Sequence, residues 1–243
     1  MSHSVLFLHG GTVGGWSWAD QLQAFSDRDP IAPDLPGYLS RRDEPWGSLD
    51  DVSDRLAEDL TRRGQGPVDV VGLSLGGVVA LHLAARHPNR VAGVFVTGAS
   101  VLPYPWSMRA ANALPLALWN SRFLWAGMIR AFGLPDEDAA RILDASPPIT
   151  RDKVREQLRE VSPGHPTDIG RIAAPLMAVA GERESRYFHD SVRAVRAARP
   201  DAQVGLAPGM HHAWNGEDPA LFNRILRTWL DDRASHPDLL PLP

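Results

Sequence analysis

Positions 68 to 87 leave the chain little freedom. The apolar run Val68 to Val71 meets Gly72-Leu73-Ser74-Leu75-Gly76-Gly77, and a helical stretch from about Leu75 to His87 follows. A short, continuous apolar segment of this kind reads as a strand buried on both faces. Glycines at 72 and 76 remove side chains that would collide where a strand turns sharply into a helix. That turn holds the Ser74 hydroxyl above the sheet at a helix N-terminus, where negative charge is favoured. Pro88 closes the helix because proline cannot continue it. Ser74 is therefore the candidate nucleophile, set against the simpler alternative of a serine that only caps the helix.

The same alternation runs through most of the chain. Val5 to Leu8 is another buried strand, followed by a helix through Trp18 to Phe25 and a strand near Ile31. Ser48-Leu49-Asp50-Asp51 has the form of a capping box, and Val52, Leu56 and Leu60 recur on one face of the helix it opens. Val91 to Val96 is a further strand. From about Val101 to His165 the alternation stops, giving way to short proline-broken helices rich in Trp106, Trp119, Phe123, Trp125, Met128 and Phe132. It resumes with strands at Leu176 to Ala180 and Gln203 to Leu206 and helices around Ser191 to Ala198 and Pro219 to Leu230. The expected fold is α/β, with a mostly parallel, doubly wound sheet of about six strands. Residues 1–100 and 166–234 form its core, 101–165 a helical cap inserted in that core, and 235–243 a loosely attached tail.

Composition removes several classes of function. The 243 residues include no cysteine, which excludes disulfides, thiolate metal sites and cysteine nucleophiles. A formal net charge of −4, with arginines scattered beside acids, gives no footprint for nucleic acid or an anionic membrane. No stretch approaches the roughly 20 apolar residues that span a bilayer, and the N-terminus lacks the pattern of a signal peptide. The expectation is a cytoplasmic protein without membrane insertion, and nothing in the sequence fixes an oligomeric state.

A second glycine-rich turn, His9-Gly10-Gly11-Thr12-Val13-Gly14-Gly15-Trp16, follows the first strand. With Gly72 to Gly77, it resembles the α/β-hydrolase superfamily. The spelling HGGTVGGWSW is especially similar to the esterase and hydroxynitrile lyase branch. By that resemblance the backbone N–H of Gly11 joins that of Leu75 as an oxyanion hole, with Thr12 as an alternative or additional donor. His9 is expected to be structural. Asp34-Leu35-Pro36-Gly37-Tyr38 resembles the superfamily's D-x-P-G-x-G turn, with Leu39 in place of the last glycine, and is read as a structural turn lining the entrance.

The superfamily order of serine, acid and histidine places the base late in the chain. Pro208-Gly209-Met210-His211-His212 is similar to the superfamily's Pro-Gly-x-Gly-His loop, which assigns His212 as base and leaves adjacent His211 as its competitor. Gly181-Glu182-Arg183-Glu184 resembles the Gly-x-x-Asp turn, which assigns Glu184 as the acid orienting the base, with Glu182 as competitor. In the cap, Trp106, Trp125 and Phe132 are the candidates for an apolar substrate wall. No metal-ligand spacing is present, and the mechanism implied needs no cofactor. The resemblance implies hydrolysis of a small to medium, largely apolar carboxylic ester. The same constellation also serves thioesters, lactones, carbon–carbon bonds and lyase chemistry, and a non-catalytic relative would keep the pocket as a ligand-binding site.

Overall fold

A computed structural model describes residues 3–119, 121, 123–127, 149–164 and 168–242. Five parallel strands form one sheet in chain order: β1 (Val5–Leu8), β2 (Val68–Leu73), β3 (Val91–Thr97), β4 (Leu176–Gly181) and β5 (Gln203–Ala207). The helices that join or flank them are α1 (Ala19–Ala24), α2 (Leu49–Arg62), α3 (Leu75–Arg86), α4 (Trp106–Ala117), α5 (Arg151–Val161), α6 (Arg186–Ala198), α7 (Trp214–Glu217) and α8 (Pro219–Asp232).

Period-two alternation divides the strand side chains between two apolar cores. Leu6, Leu8, Val70, Val94, Val96 and Ala178 face the layer containing α2 and α3. Val5, Phe7, Val71, Phe95, Met177 and Val179 face the opposite layer, where α8 contributes Phe222, Ile225, Leu226 and Trp229. Both faces are thus covered, which is why the strands read as unbroken apolar runs. Helix α2 starts at the expected capping box: Ser48 Oγ accepts the Asp51 amide at 3.1 Å, and Asp51 Oδ2 accepts the Ser48 amide at 2.8 Å.

Two expectations need correction. The strand near Ile31 is a single parallel bridge to Leu6, so among the described residues the sheet has five strands where about six were expected. Ile31 donates to the Val5 carbonyl at 2.8 Å and accepts from the Phe7 amide at 2.7 Å. The next rung would need an N–H at position 33, and Pro33 has none. The C-terminal residues are also more closely held than expected. Leu240 and Leu206 exchange two backbone hydrogen bonds of 2.9 Å, which lays the tail along the free edge of β5.

The first two connections set the site. From β1 the chain runs outward to Ile31, whereas from β2 it runs through α3 to β3 on the other side. The strand order therefore reverses between β1 and β2. A crevice opens at the carboxyl ends of strands where such a reversal occurs. Above it lie α4 and α5, tied to the core where Tyr38 bridges Ile149 and where Lys153 Nζ donates to the Glu44 carbonyl at 2.9 Å.

Candidate active site

Ser74 sits at the end of β2 with φ 55° and ψ −116°, a conformation that a residue with a side chain seldom adopts. Strain of this kind costs on the order of 1–3 kcal/mol and persists only where the surroundings impose it. Here the Ser74 amide donates to the Thr97 carbonyl at 2.9 Å, and its carbonyl accepts from Val78 at 3.1 Å as α3 begins. Close packing adds to the constraint, since a Cβ on Gly76 would run into the Leu8 and His9 carbonyls. The turn thus presses against the end of β1, bringing the two glycine-rich segments together. Leu75 opens α3, so its N–H belongs to the first turn and has no acceptor within the helix.

His9 is fully buried and joins the loop after β1 to the turn after Ile31. Its Nδ1 donates to the Gly10 carbonyl at 2.8 Å, and its Nε2 accepts the Leu35 amide at 2.9 Å. These roles require the neutral ring, and burial pushes its pKa down to about 4. The Tyr38 ring packs edge-on against His9, with centroids 4.7 Å apart. Tyr38 is also fully buried; its hydroxyl donates to Gln157 Oε1 at 2.9 Å and faces the backbone N–H of Thr12. Burial raises the Tyr38 pKa, so the phenol stays protonated.

The loops after β4 and β5 carry the acid and the imidazole. They are pinned together: Glu182 donates its amide to Ala207 at 2.9 Å and accepts the Gly209 amide on Oε2 at 2.7 Å, while Arg183 donates to Met210 at 2.9 Å. Glu184 Oε2 accepts the Gly181 amide at 2.7 Å, and Oε1 accepts the Nδ1 proton of His212. The Glu184 side chain is 2% exposed and that of His212 30%. Phe188 supports the His212 ring at 4.7 Å between centroids. The ring also abuts Gly98, where φ is +57° and a Cβ would lie 2.7 Å from His212 Cε1. Gly98 directly follows Thr97, the residue whose carbonyl holds the Ser74 amide, so serine and imidazole converge on one short segment. The competitors point elsewhere. His211 pairs with Glu217 at 2.8 Å on the exposed surface, and Glu182 is the loop clamp.

Ser74, Leu75, Gly11 and Thr12 border a cavity of about 260 Å³. Its remaining wall comes from Tyr38, Val78, Ser100 and the cap, and among the described residues none that lines it is charged. The cap residues chosen from composition are placed differently. Trp106 is 82% exposed and does not border the cavity, because it lies on the outward side of the first turn of α4. Trp125 is buried behind the wall, donating to the Trp119 carbonyl at 2.7 Å and packing on its ring. Trp119 itself forms the wall, anchored by its indole N–H to the Ile149 carbonyl at 2.9 Å. Phe132 lies outside the described residues. Val154, Gln157, Leu158 and Val161 of α5 also border the cavity and were not singled out. Their spacing of three, four and seven residues marks one helical face and was available in the sequence. Among the described residues no three histidines and carboxylates gather as a metal site would require.

A sequence model of the alpha/beta hydrolase family matches residues 5–225. An AB hydrolase superfamily protein of Gibberella zeae is 26% identical across 93% of this chain and 79% of its own length. A pimeloyl-[acyl-carrier protein] methyl ester esterase of Neisseria meningitidis is 33% identical across 86% of this chain and 72% of its own. Among solved structures, a thermophilic esterase from Thermogutta terrifontis superposes with a TM-score of 0.77 at 21% identity, covering 95% of this chain and 90% of its own. At that identity the superposition speaks for the fold alone.

Proposed function

The chain belongs to the α/β hydrolase family, and from that premise we propose that it is a serine hydrolase cleaving small to medium, largely apolar carboxylic esters. The observation that carries the reading is the buried Glu184 carboxylate on Nδ1 of His212, which leaves Nε2 as the basic nitrogen beside the segment that holds Ser74. In this mechanism His212 Nε2 takes the Ser74 proton as Oγ bonds to the ester carbonyl carbon. Glu184 fixes the tautomer and favours the imidazolium that forms. The carbonyl oxygen becomes an oxyanion between the amides of Gly11 and Leu75, each contributing on the order of 3 kcal/mol. Gly11 is preferred to Thr12 because the Thr12 amide faces the Tyr38 hydroxyl. Collapse breaks the bond to the leaving alkoxide, which takes the proton from His212. Water then attacks the acyl-enzyme by the same route and frees the acid.

The cavity argues for the substrate class. At about 260 Å³ it lies just under the range of drug-sized pockets, and the described residues that line it are uncharged. A neutral ester with a short to medium apolar chain suits it, whereas a charged group would lose its hydration without a partner.

Hydrolysis of short p-nitrophenyl esters and labelling by a fluorophosphonate test the proposal. Ser74→Ala should lose both, the rate falling by about ten-thousand-fold or more. A variant as fast as the parent would remove Ser74 from the chemistry. Thioesters and lactones run beside the esters define the bond preferred.

A further inference from the structure

Strand β3 is apolar except at its last residue, Thr97, which is fully buried. Period-two alternation turns Thr97 to the same face as Phe95, toward the core that holds Trp18, Trp214 and Trp229. There the Trp214 indole N–H donates to Thr97 Oγ1 at 2.7 Å. The roles in this bond are fixed, because an indole nitrogen can only donate. Burying an indole here does not by itself call for a hydroxyl. Trp18 and Trp229 share the same core, and neither Nε1 has a partner among the described residues.

The bond joins two segments that carry the candidate chemistry. Trp214 lies two residues beyond His212, and the Thr97 carbonyl accepts the Ser74 amide at 2.9 Å. Beside it, the Gly98 amide donates to the Val179 carbonyl at 3.1 Å, on the strand that leads to Glu184. Other anchors of the His212 loop run elsewhere: Met210 is held by the Arg183 amide, and Asn215 by Ser17 and Gln21. Trp214 supplies the hydrogen bond that reaches the segment holding Ser74. Resting on the hydrolase reading above, we propose that Thr97 and Trp214 are positioning residues that set the His212 imidazole against the Ser74 hydroxyl. Both are fully buried and neither lines the cavity, so they act through the two loops and not on the ester. Moving a reacting group by about 1 Å costs on the order of a hundredfold in rate, which gives one bond at this joint its leverage.

Substitutions at the two ends of the bond test this in the intact protein. Thr97→Val keeps nearly the same shape without the acceptor, Thr97→Ser keeps the acceptor, and Trp214→Phe keeps a ring without the donor. Hydrolysis of p-nitrophenyl esters is measured well below the melting midpoint of each variant. Thr97→Val should lower kcat by about tenfold to a hundredfold with KM changed by less than about threefold, and Thr97→Ser should recover most of the loss. If Thr97→Val fails to fold, Trp214→Phe takes its place with the same expectation. Where both fold, the double variant should be little slower than the slower single one, because each removes the same bond. A folded Thr97→Val or Trp214→Phe with parental kcat, no recovery in Thr97→Ser, or losses that multiply in the double variant overturns the assignment. If the parent neither hydrolyses esters nor takes up a fluorophosphonate, the hydrolase reading fails separately. The ring-proton resonance of His212, identified by its loss in His212→Ala, then decides: it should shift in Thr97→Val and return in Thr97→Ser, and an unmoved resonance overturns the positioning role.

Discussion

Two adjacent histidines end up with opposite tasks because backbone direction separates their side chains. His211 turns outward to Glu217, while His212 turns inward to Glu184. His212→Ala should therefore lower kcat/KM for p-nitrophenyl esters by several orders of magnitude and His211→Ala by less than about tenfold. Reversed ranking in steady-state assays would transfer the role of base. Gly98 belongs to the same small assembly, although no sequence motif marks it. A methyl group there meets the imidazole at 2.7 Å while φ stays at +57°. Gly98→Ala should cost about a hundredfold in kcat, since displacing a reacting group by about 1 Å has that effect. Stopped-flow rates and a melting curve together separate displacement of His212 from loss of fold.

At the level of elements, position 33 shows how one residue edits a sheet. Apolar character at Ile31 and Ala32 calls for a strand, but proline withholds the next donor and the ladder ends after one rung. Helix α2 shows local chemistry and tertiary burial in agreement. Its capping box fixes the start, and Val52, Leu56 and Leu60 place the buried face. Ser48→Ala should destabilise the protein by about 1 kcal/mol in urea denaturation, with ester hydrolysis unaltered. A midpoint that does not move would mean that the cap is satisfied by other groups. In α5 the stripe 154, 157, 158 and 161 was readable as a helical face, but not what the face would meet. The cap tryptophans carry the same lesson. Composition identified an aromatic cluster, and the path of the chain put Trp119 on the cavity, Trp125 behind it and Trp106 outside.

For the molecule as a whole, His9 links stability to pH. Its folded pKa is lowered to about 4 by burial, whereas an unfolded histidine titrates near 6.5. Below about pH 6.5 the unfolded chain binds a proton that the folded chain refuses, so stability falls as pH drops and is unaffected by this group above that range. By about pH 4 the loss should reach the order of 3 kcal/mol. Denaturant midpoints of the parent and His9→Gln between pH 7 and 4 measure it. Parallel curves would show that His9 contributes nothing to the acid sensitivity. Since His9 holds the Gly10-Gly11 loop to the turn at Leu35, the same protonation should loosen the Gly11 side of the cavity.

The sequence by itself determined the class of fold and the local turns. Buried strands, helix faces and glycine-rich corners depend on residues near one another in the chain, where sterics and periodicity act directly. It also named the residues that the fold gathers at one end of the sheet, because Ser74, Glu184 and His212 each follow a strand within a short motif. Tertiary structure alone decided that Gly98 packs against the imidazole and that Trp119 and Gln157 wall the cavity. Those outcomes depend on where segments separated by tens of residues come to rest, and short-range spacing does not encode that distance. The bond between Trp214 and Thr97 belongs with them, since whether a polar group is satisfied is settled only when all its neighbours are in place.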